Sequence, residues 1–396
     1  MLSQRQLFLN HVAQTSDTPL ALEVDRAEGI YIYDTSGKKY IDLISGISVS
    51  SVGHCHPKVV ESVQKQAATY MHTLVYGEFI QSPQVQLATY LSGLLPANLN
   101  SVYFTNSGTE ATEGAMKLAK RFTGRREIIS CIHSYHGSTQ GALSLMGDEY
   151  FKSAFRPLLP ATRQIRYNNL EDLQYITEET AAFFIEPVQA ESGVIVPDDN
   201  YLIKVRERCT ETGTLLVFDE IQTGCGRTGK LFALEHSGVI PDIMLLAKSL
   251  GGGMPVGCFI SDKKIMQSLT HDPVLGHITT FGGNAVCCAA ALVAIKIVAE
   301  DKLYENAEEK AQLFREKLVH RAIRKINYKG LLMAVYLDNY ENVRKVIDVC
   351  LQNGLIADWF LFAPYAIRIA PPLIIEKKAI LESCDILMKA LKTVYG

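Results

Sequence analysis

Short, almost continuously apolar runs recur through the middle of the chain, each closed by a turn or charged residue. SVYF (101–104) precedes TNSGTEATEGAMKLAKRF, and AAFFI (181–185) ends at Glu186-Pro187 ahead of YLIKVRERCTETG. TLLVF (214–218) ends at Asp219, and DIMLLA (242–247) ends at Lys248. A strand with one wet face alternates apolar and polar residues. Runs apolar on both faces therefore suit a parallel sheet covered by helices. In the helix after SVYF, Ala111, Ala115, Leu118, Ala119 and Phe122 fall on one face, and Gly124 punctuates its end.

The flanks read differently. GIYIYDTSGKKYIDL (29–43) alternates like an antiparallel hairpin around a DTSGKK turn. From residue 285 the chain turns helical (AVCCAAALVAIKIVAE), followed by KGLLMAVYLD, a second helix and a closing helix, IIEKKAILESCDILMKALKTV. The pattern predicts an α/β fold with a large domain over 51–290, holding a mostly parallel central sheet with helices on both faces. A smaller α+β domain takes the N-terminal segment 1–50 and the C-terminal 291–396.

With 396 residues, 47% of them hydrophobic, the chain can bury a large core. Its net charge of −3 offers no footprint for nucleic acid or anionic lipid. No apolar run approaches the ~20 residues of a membrane span. Nine cysteines, without CxxC pairs and mostly inside apolar runs, predict buried free thiols in a reducing cytosol. The polar start MLSQRQLFLNHVAQTSDTPL lacks a signal-peptide core, so a soluble, cytoplasmic protein is expected.

In open parallel sheets ligands bind beyond the carboxyl ends of the strands. Glu186, Asp219, Lys248 and the loop Ser107-Gly108-Thr109 all stand at such ends, so four predicted strands aim functional groups at one rim. Small residues before a helix make an anion site from free backbone N–H groups and the helix dipole, although Ser107 or Thr109 with Glu110 also reads as an ordinary N-cap. Lys248 precedes Gly251-Gly252-Gly253, which leave room for a flat or bulky group. A partly desolvated lysine can act as a Schiff-base nucleophile. A carboxylate at the same rim can hold a protonated heterocyclic nitrogen. Phosphate site, amine and carboxylate together describe the needs of pyridoxal 5′-phosphate.

LVFDEIQTGCGRTGKLFALEHSGVIPDIMLLAKSLGGGMPVG resembles the signature of class III pyridoxal-phosphate aminotransferases, the ornithine, acetylornithine and 4-aminobutyrate group of fold type I. The likeness covers almost the whole chain in order: GHCHP (53–57), NSGTEATEGAMKLAK (106–120), SYHG (134–137), IEPVQAESG (185–193), the signature, TTFGGN (279–284) and IRIAPPL (367–373). It implies that Lys248 is the cofactor's covalent tether and then moves a proton between substrate carbon and cofactor. Asp219 would keep the pyridinium nitrogen protonated, and Gln222 would bond the phenolic oxygen. Tyr135 and Ile221 would sandwich the ring, with His136 and Glu186 beside it. Ser107, Gly108 and Thr109 would hold the phosphate, joined by Thr280 from the partner of a homodimer. Arg368 would take the substrate α-carboxylate, and Glu191 would pair with it when a terminal amine is presented. The implied activity is ping-pong transfer of an amino group from an omega-amine, diamino acid or related amino acid to 2-oxoglutarate or pyruvate.

The chain departs from this pattern at Ser138, where YHGST stands in place of the FHGRT of many 2-oxoglutarate users. A serine cannot neutralise a distal carboxylate, so either another cation serves or the acceptor is a monocarboxylate. The aromatic DWFLF (358–362) either reshapes the channel or simply packs. Ala190 and Ser192 replace glycines without evident consequence for the chemistry. An aminomutase or racemase would use the same lysine and aspartate. GCGRTGKL (224–231) is one residue short of a phosphate loop, with Leu231 where a magnesium-binding hydroxyl belongs. His54-Cys55-His56 lacks further paired ligands nearby, so no metal is expected.

Overall fold

The computed structural model describes residues 2–396. Its centre is a seven-stranded sheet in the order Ser101–Thr105, Gly257–Ser261, Ile243–Leu246, Leu215–Asp219, Thr180–Ile185, Glu127–Cys131, Thr162–Ile165. Gly257–Ser261 runs antiparallel to both its neighbours, and the remaining pairings are parallel. All residues of Thr180–Ile185, Leu215–Asp219 and Ile243–Leu246 are buried, as apolar runs without alternation require.

Successive residues of each strand enter opposite faces, which splits the core in two. Phe184, Val217, Leu245 and Phe259 pack under the helix Gly108–Thr123 with Ala111, Ala115 and Leu118. Phe183, Leu216, Phe218, Met244 and Leu246 belong to the opposite layer, with Val59, Leu87 and Cys288 from three other helices. Gly124 ends the first helix in the left-handed region, at φ 70°. Phe122 departs from the predicted buried face. It sits in the last turn and is 47% exposed.

The predicted hairpin is present as Tyr31–Asp34 and Lys39–Asp42, and a strand Val24–Glu28 extends it. Leu355–Ile356, from the other end of the chain, adds a parallel fourth strand. A second small sheet runs Lys325–Lys329, Leu332–Tyr336, Ala366–Ile369, Asp358–Trp359. In this sheet Arg368 lies opposite Ala334 on one side and Asp358 on the other. The helices Ala307–Lys317, Tyr340–Gln352 and Lys377–Tyr395 complete the C-terminal part. The helix Ala285–Glu300 runs unbroken through position 290. No helix among the described residues is long and apolar enough to cross a membrane.

Candidate active site

The carboxyl ends of the central strands open onto a cavity of ≈ 510 Å³. Its wall includes Ser107, Gly108, Thr109, Tyr135, His136, Ser138, Glu186, Glu191, Asp219, Ile221, Gln222 and Lys248. Two candidates lie off that wall. Arg368 is buried behind Glu191, and Thr280 is exposed in the segment before the helix Ala285–Glu300.

Lys248 leaves its strand with φ 43°, a left-handed conformation costly for a side-chain-bearing residue. Desolvation lowers its amine below the ordinary lysine value of 10.5, while Glu191 and Asp219 pull the other way. The backbone around it is tied down: Ser249 Oγ donates to Ser48 O at 2.5 Å and meets Ser51 Oγ at 2.7 Å. Ser45, Gly46, Ile47 and Ser48 all have positive φ, and this left-handed turn brings Val49 to the cavity wall. Asp42 holds the turn by accepting from Ile44 N (2.8 Å) and Ser45 N (2.9 Å), while Asp42 Oδ2 bonds His54 Nε2 at 2.8 Å.

Asp219 Oδ2 meets His136 Nδ1 at 2.7 Å, and Asp219 Oδ1 accepts from Ile221 N at 3.0 Å. His136 Nε2 and Gln222 Oε1 are buried without a partner in the protein. Glu186 forms no ion pair among the described residues, and its carboxylate accepts from Tyr135 N and Ala190 N at 3.4 Å. Burial, reinforced by the Asp219 charge, raises its carboxyl well above the usual range.

Ser107 is the N-cap of Gly108–Thr123, with its hydroxyl accepting from Glu110 N at 3.3 Å. Glu110 in turn accepts from Asn106 N at 2.7 Å. The N-cap reading holds, and the capped end opens into the cavity. The loop is clasped by side-chain-free positions. A Cβ on Gly257 would stand 2.2 Å from Ser107 O, and one on Gly137 would stand 2.3 Å from Thr109 Oγ1. Thr109 Oγ1 meets Thr139 Oγ1 at 2.7 Å, and Thr139 donates to Glu113 at 2.6 Å.

Arg368 donates from Nη1 and Nη2 to the two Glu191 oxygens, at 2.8 and 3.0 Å. Gln222 Nε2 donates to Glu191 Oε1 at 2.9 Å, which joins the pair to the cavity. Although burial opposes it, the Arg368 charge brings the Glu191 carboxyl down to about 2. Tyr135 Oη and Ser138 Oγ lie 3.0 Å apart at the mouth.

Sequence reasoning did not single out Val49, Thr139, Glu113 or Asp358. Asp358 carried a usable signal, a lone acid opening an aromatic run. The other three gain their positions from long-range packing. The phosphate-loop alternative finds no support: GCGRTGKL leads into a 3-10 turn, Ala233–His236, and Leu231 is buried. Its arginine, Arg227, turns inward instead and donates to Leu331 O at 3.1 Å and Ser51 Oγ at 2.9 Å.

The family model for Aminotransferase class-III matches residues 12–391. An acetylornithine aminotransferase of Methanocaldococcus jannaschii is 39% identical over 379 residues, 93% of this chain and 92% of that protein. One from Archaeoglobus fulgidus is 36% identical over 96% of this chain and 97% of its own length. Among solved structures, an ornithine aminotransferase from Toxoplasma gondii superposes with a TM-score of 0.92 at 30% identity, covering 99% of this chain and 96% of its own. A transaminase from Virgibacillus gives 0.92 at 29%, with 98% of both chains covered. The chain belongs to the class III aminotransferases, transaminases that use pyridoxal 5′-phosphate to move an amino group from a donor amine or amino acid to a 2-oxo acid.

Proposed function

We propose that the cavity binds pyridoxal 5′-phosphate with Lys248 as its covalent anchor and Asp219 as the partner of its ring nitrogen, and that the donor presents a terminal amine. The observation that carries this reading is the meeting, on one wall, of a desolvated lysine amine and a buried carboxylate oriented by His136. The donor set fits the group. Beside the amine and carboxylate stand the capped helix end at Ser107-Gly108-Thr109, the unpartnered Gln222 Oε1 and the apolar surfaces of Tyr135 and Ile221.

When bound, the cofactor supplies an electron sink for the pair left when the substrate C–H bond breaks. The protein's share is placement and proton transfer. Asp219, oriented by His136, would hold the ring nitrogen. With the cofactor bound, Lys248 Nζ would take the proton from the substrate carbon and deliver it to the cofactor carbon on the far side of the transferred nitrogen. Gln222 orients the cofactor's oxygen and steadies Glu191.

With Glu191 on Arg368, the pocket accepts a terminal amine without a neighbouring carboxylate. With Glu191 withdrawn, the guanidinium fork takes the carboxylate of the 2-oxo acid. The relatives named for acetylornithine and ornithine support a diamino-acid donor, and Ser138 favours a monocarboxylate acceptor such as pyruvate over 2-oxoglutarate. Thr280 and the neighbouring Phe281 (56% exposed) fit a homodimer in which Thr280 completes the partner's phosphate site. Nine unpaired cysteines among the described residues, eight of them buried, suit the cytoplasm.

The test is K248A with the cofactor added, against a panel of terminal amines and diamino acids. Loss of both the yellow bound cofactor and turnover is expected. Retention of either at wild-type level overturns the reading.

A further inference from the structure

The guanidinium of Arg368 is engaged on both of its edges. Glu191 occupies the terminal edge through Nη1 and Nη2. Asp358 Oδ1 accepts from Nε at 3.0 Å, and Trp359 O accepts from Nη2 at 3.1 Å. The Phe360 ring lies 4.5 Å beneath the guanidinium carbon. These second contacts come from the run DWFLF and from the sheet itself, because Asp358 is the direct cross-strand neighbour of Arg368. Glu191 comes from elsewhere, the loop after the strand Thr180–Ile185. The two carboxylates that share one cation are thus mounted on independent elements.

We infer that Asp358 is a specificity-determining positioning residue, which grips the far edge of Arg368 so that Glu191 can exchange with a substrate carboxylate while the guanidinium stays in place. The inference rests on the reading of Arg368 as the carboxylate anchor. An arginine held only by Glu191 loses its orientation when Glu191 leaves, and an incoming 2-oxo acid must then order a long side chain again. Held by Nε, by the Trp359 carbonyl and by the Phe360 face, the fork remains aimed whichever carboxylate fills its terminal edge. A donor with no carboxylate near the reacting amine leaves Glu191 in place and makes no use of this device. The segment 358–362, which the sequence leaves open between packing and channel, acquires a specific task.

The test compares D358A, D358N and R368Q holoenzymes, with pyruvate and 2-oxoglutarate as acceptors and the wild type's best terminal-amine donor. Loss of one hydrogen bond to a charged group predicts an acceptor KM about ten-fold or more higher in D358A. The donor KM should stay within about two-fold, since that step leaves the Glu191 pair closed. D358N keeps an oxygen acceptor for Nε and recovers most of the loss. If R368Q leaves the acceptor KM unchanged, the anchor reading itself fails. If R368Q raises it and D358A does not, or if D358A raises donor and acceptor KM alike, Asp358 has no such role and the inference alone is overturned.

Discussion

Glu191 and Asp358 share a single guanidinium, and they do not share it equally. Glu191 has two contacts on the fork plus Gln222 and Leu361 N, and although burial opposes it, its carboxyl falls to about 2. Asp358 has one contact, and burial outweighs the pull of Arg368, so its carboxyl rises to about 6. A depressed carboxyl stabilises the fold above its ordinary value of 4.5, and that stability is lost as pH falls through about 2. Wild-type protein should therefore lose on the order of 3 kcal/mol more stability than E191Q between pH 5 and pH 2. Urea melts at both pH values for both proteins check this, and parallel losses would falsify it. Lys248 and Asp219 were legible as charges ending apolar runs, because an unexplained charge there demands a partner. The charge division at Arg368 was not legible, since it depends on which oxygens reach which nitrogens.

At the scale of elements, the helix Gly108–Thr123 and its cap were readable from local signals: small residues, Glu110 in the first turn, apolar spacing, Gly124 at the end. The clasp around its first turn was not. Gly137 has φ 126° and no room for a Cβ beside Thr109. G137A should therefore push Thr109 out of the loop proposed to hold the cofactor's phosphate and raise the cofactor's dissociation constant about ten-fold or more. Equilibrium titration of the unloaded protein measures it, and wild-type affinity in G137A would show that the loop tolerates displacement. Phe122 shows the limit of spacing alone. It keeps the helical register of its buried companions, but in the last turn the sheet no longer covers it.

For the whole molecule, Arg227 is the tie between regions far apart in sequence. It is fully buried, with its charge opposed by no hydrogen-bonded carboxylate, and burial lowers it to about 9. It donates to Leu331 O and Pro371 O in the C-terminal part and to Ser51 Oγ near the N-terminus. Ser51 passes the contact to Ser249, next to Lys248. R227M, close in volume but unable to donate, leaves these acceptors unpaired and should destabilise the protein by ~3 kcal/mol. It should also lower kcat more than it raises the donor KM, because the strained turn at Lys248 loses its support. Unchanged thermal stability and unchanged kcat would remove Arg227 from this role.

The sequence by itself determined the layered α/β plan, the strand ends that carry Asp219 and Lys248, and the capped helix, because periodicity, caps and turns act over a few residues. Only the tertiary structure decided which distant groups meet. Arg368 finds Glu191 across 177 positions and Asp358 across a strand register, and Arg227 reaches both ends of the chain. Such pairings follow from how elements pack and which donors that packing strips of water, and no local pattern of residues records them.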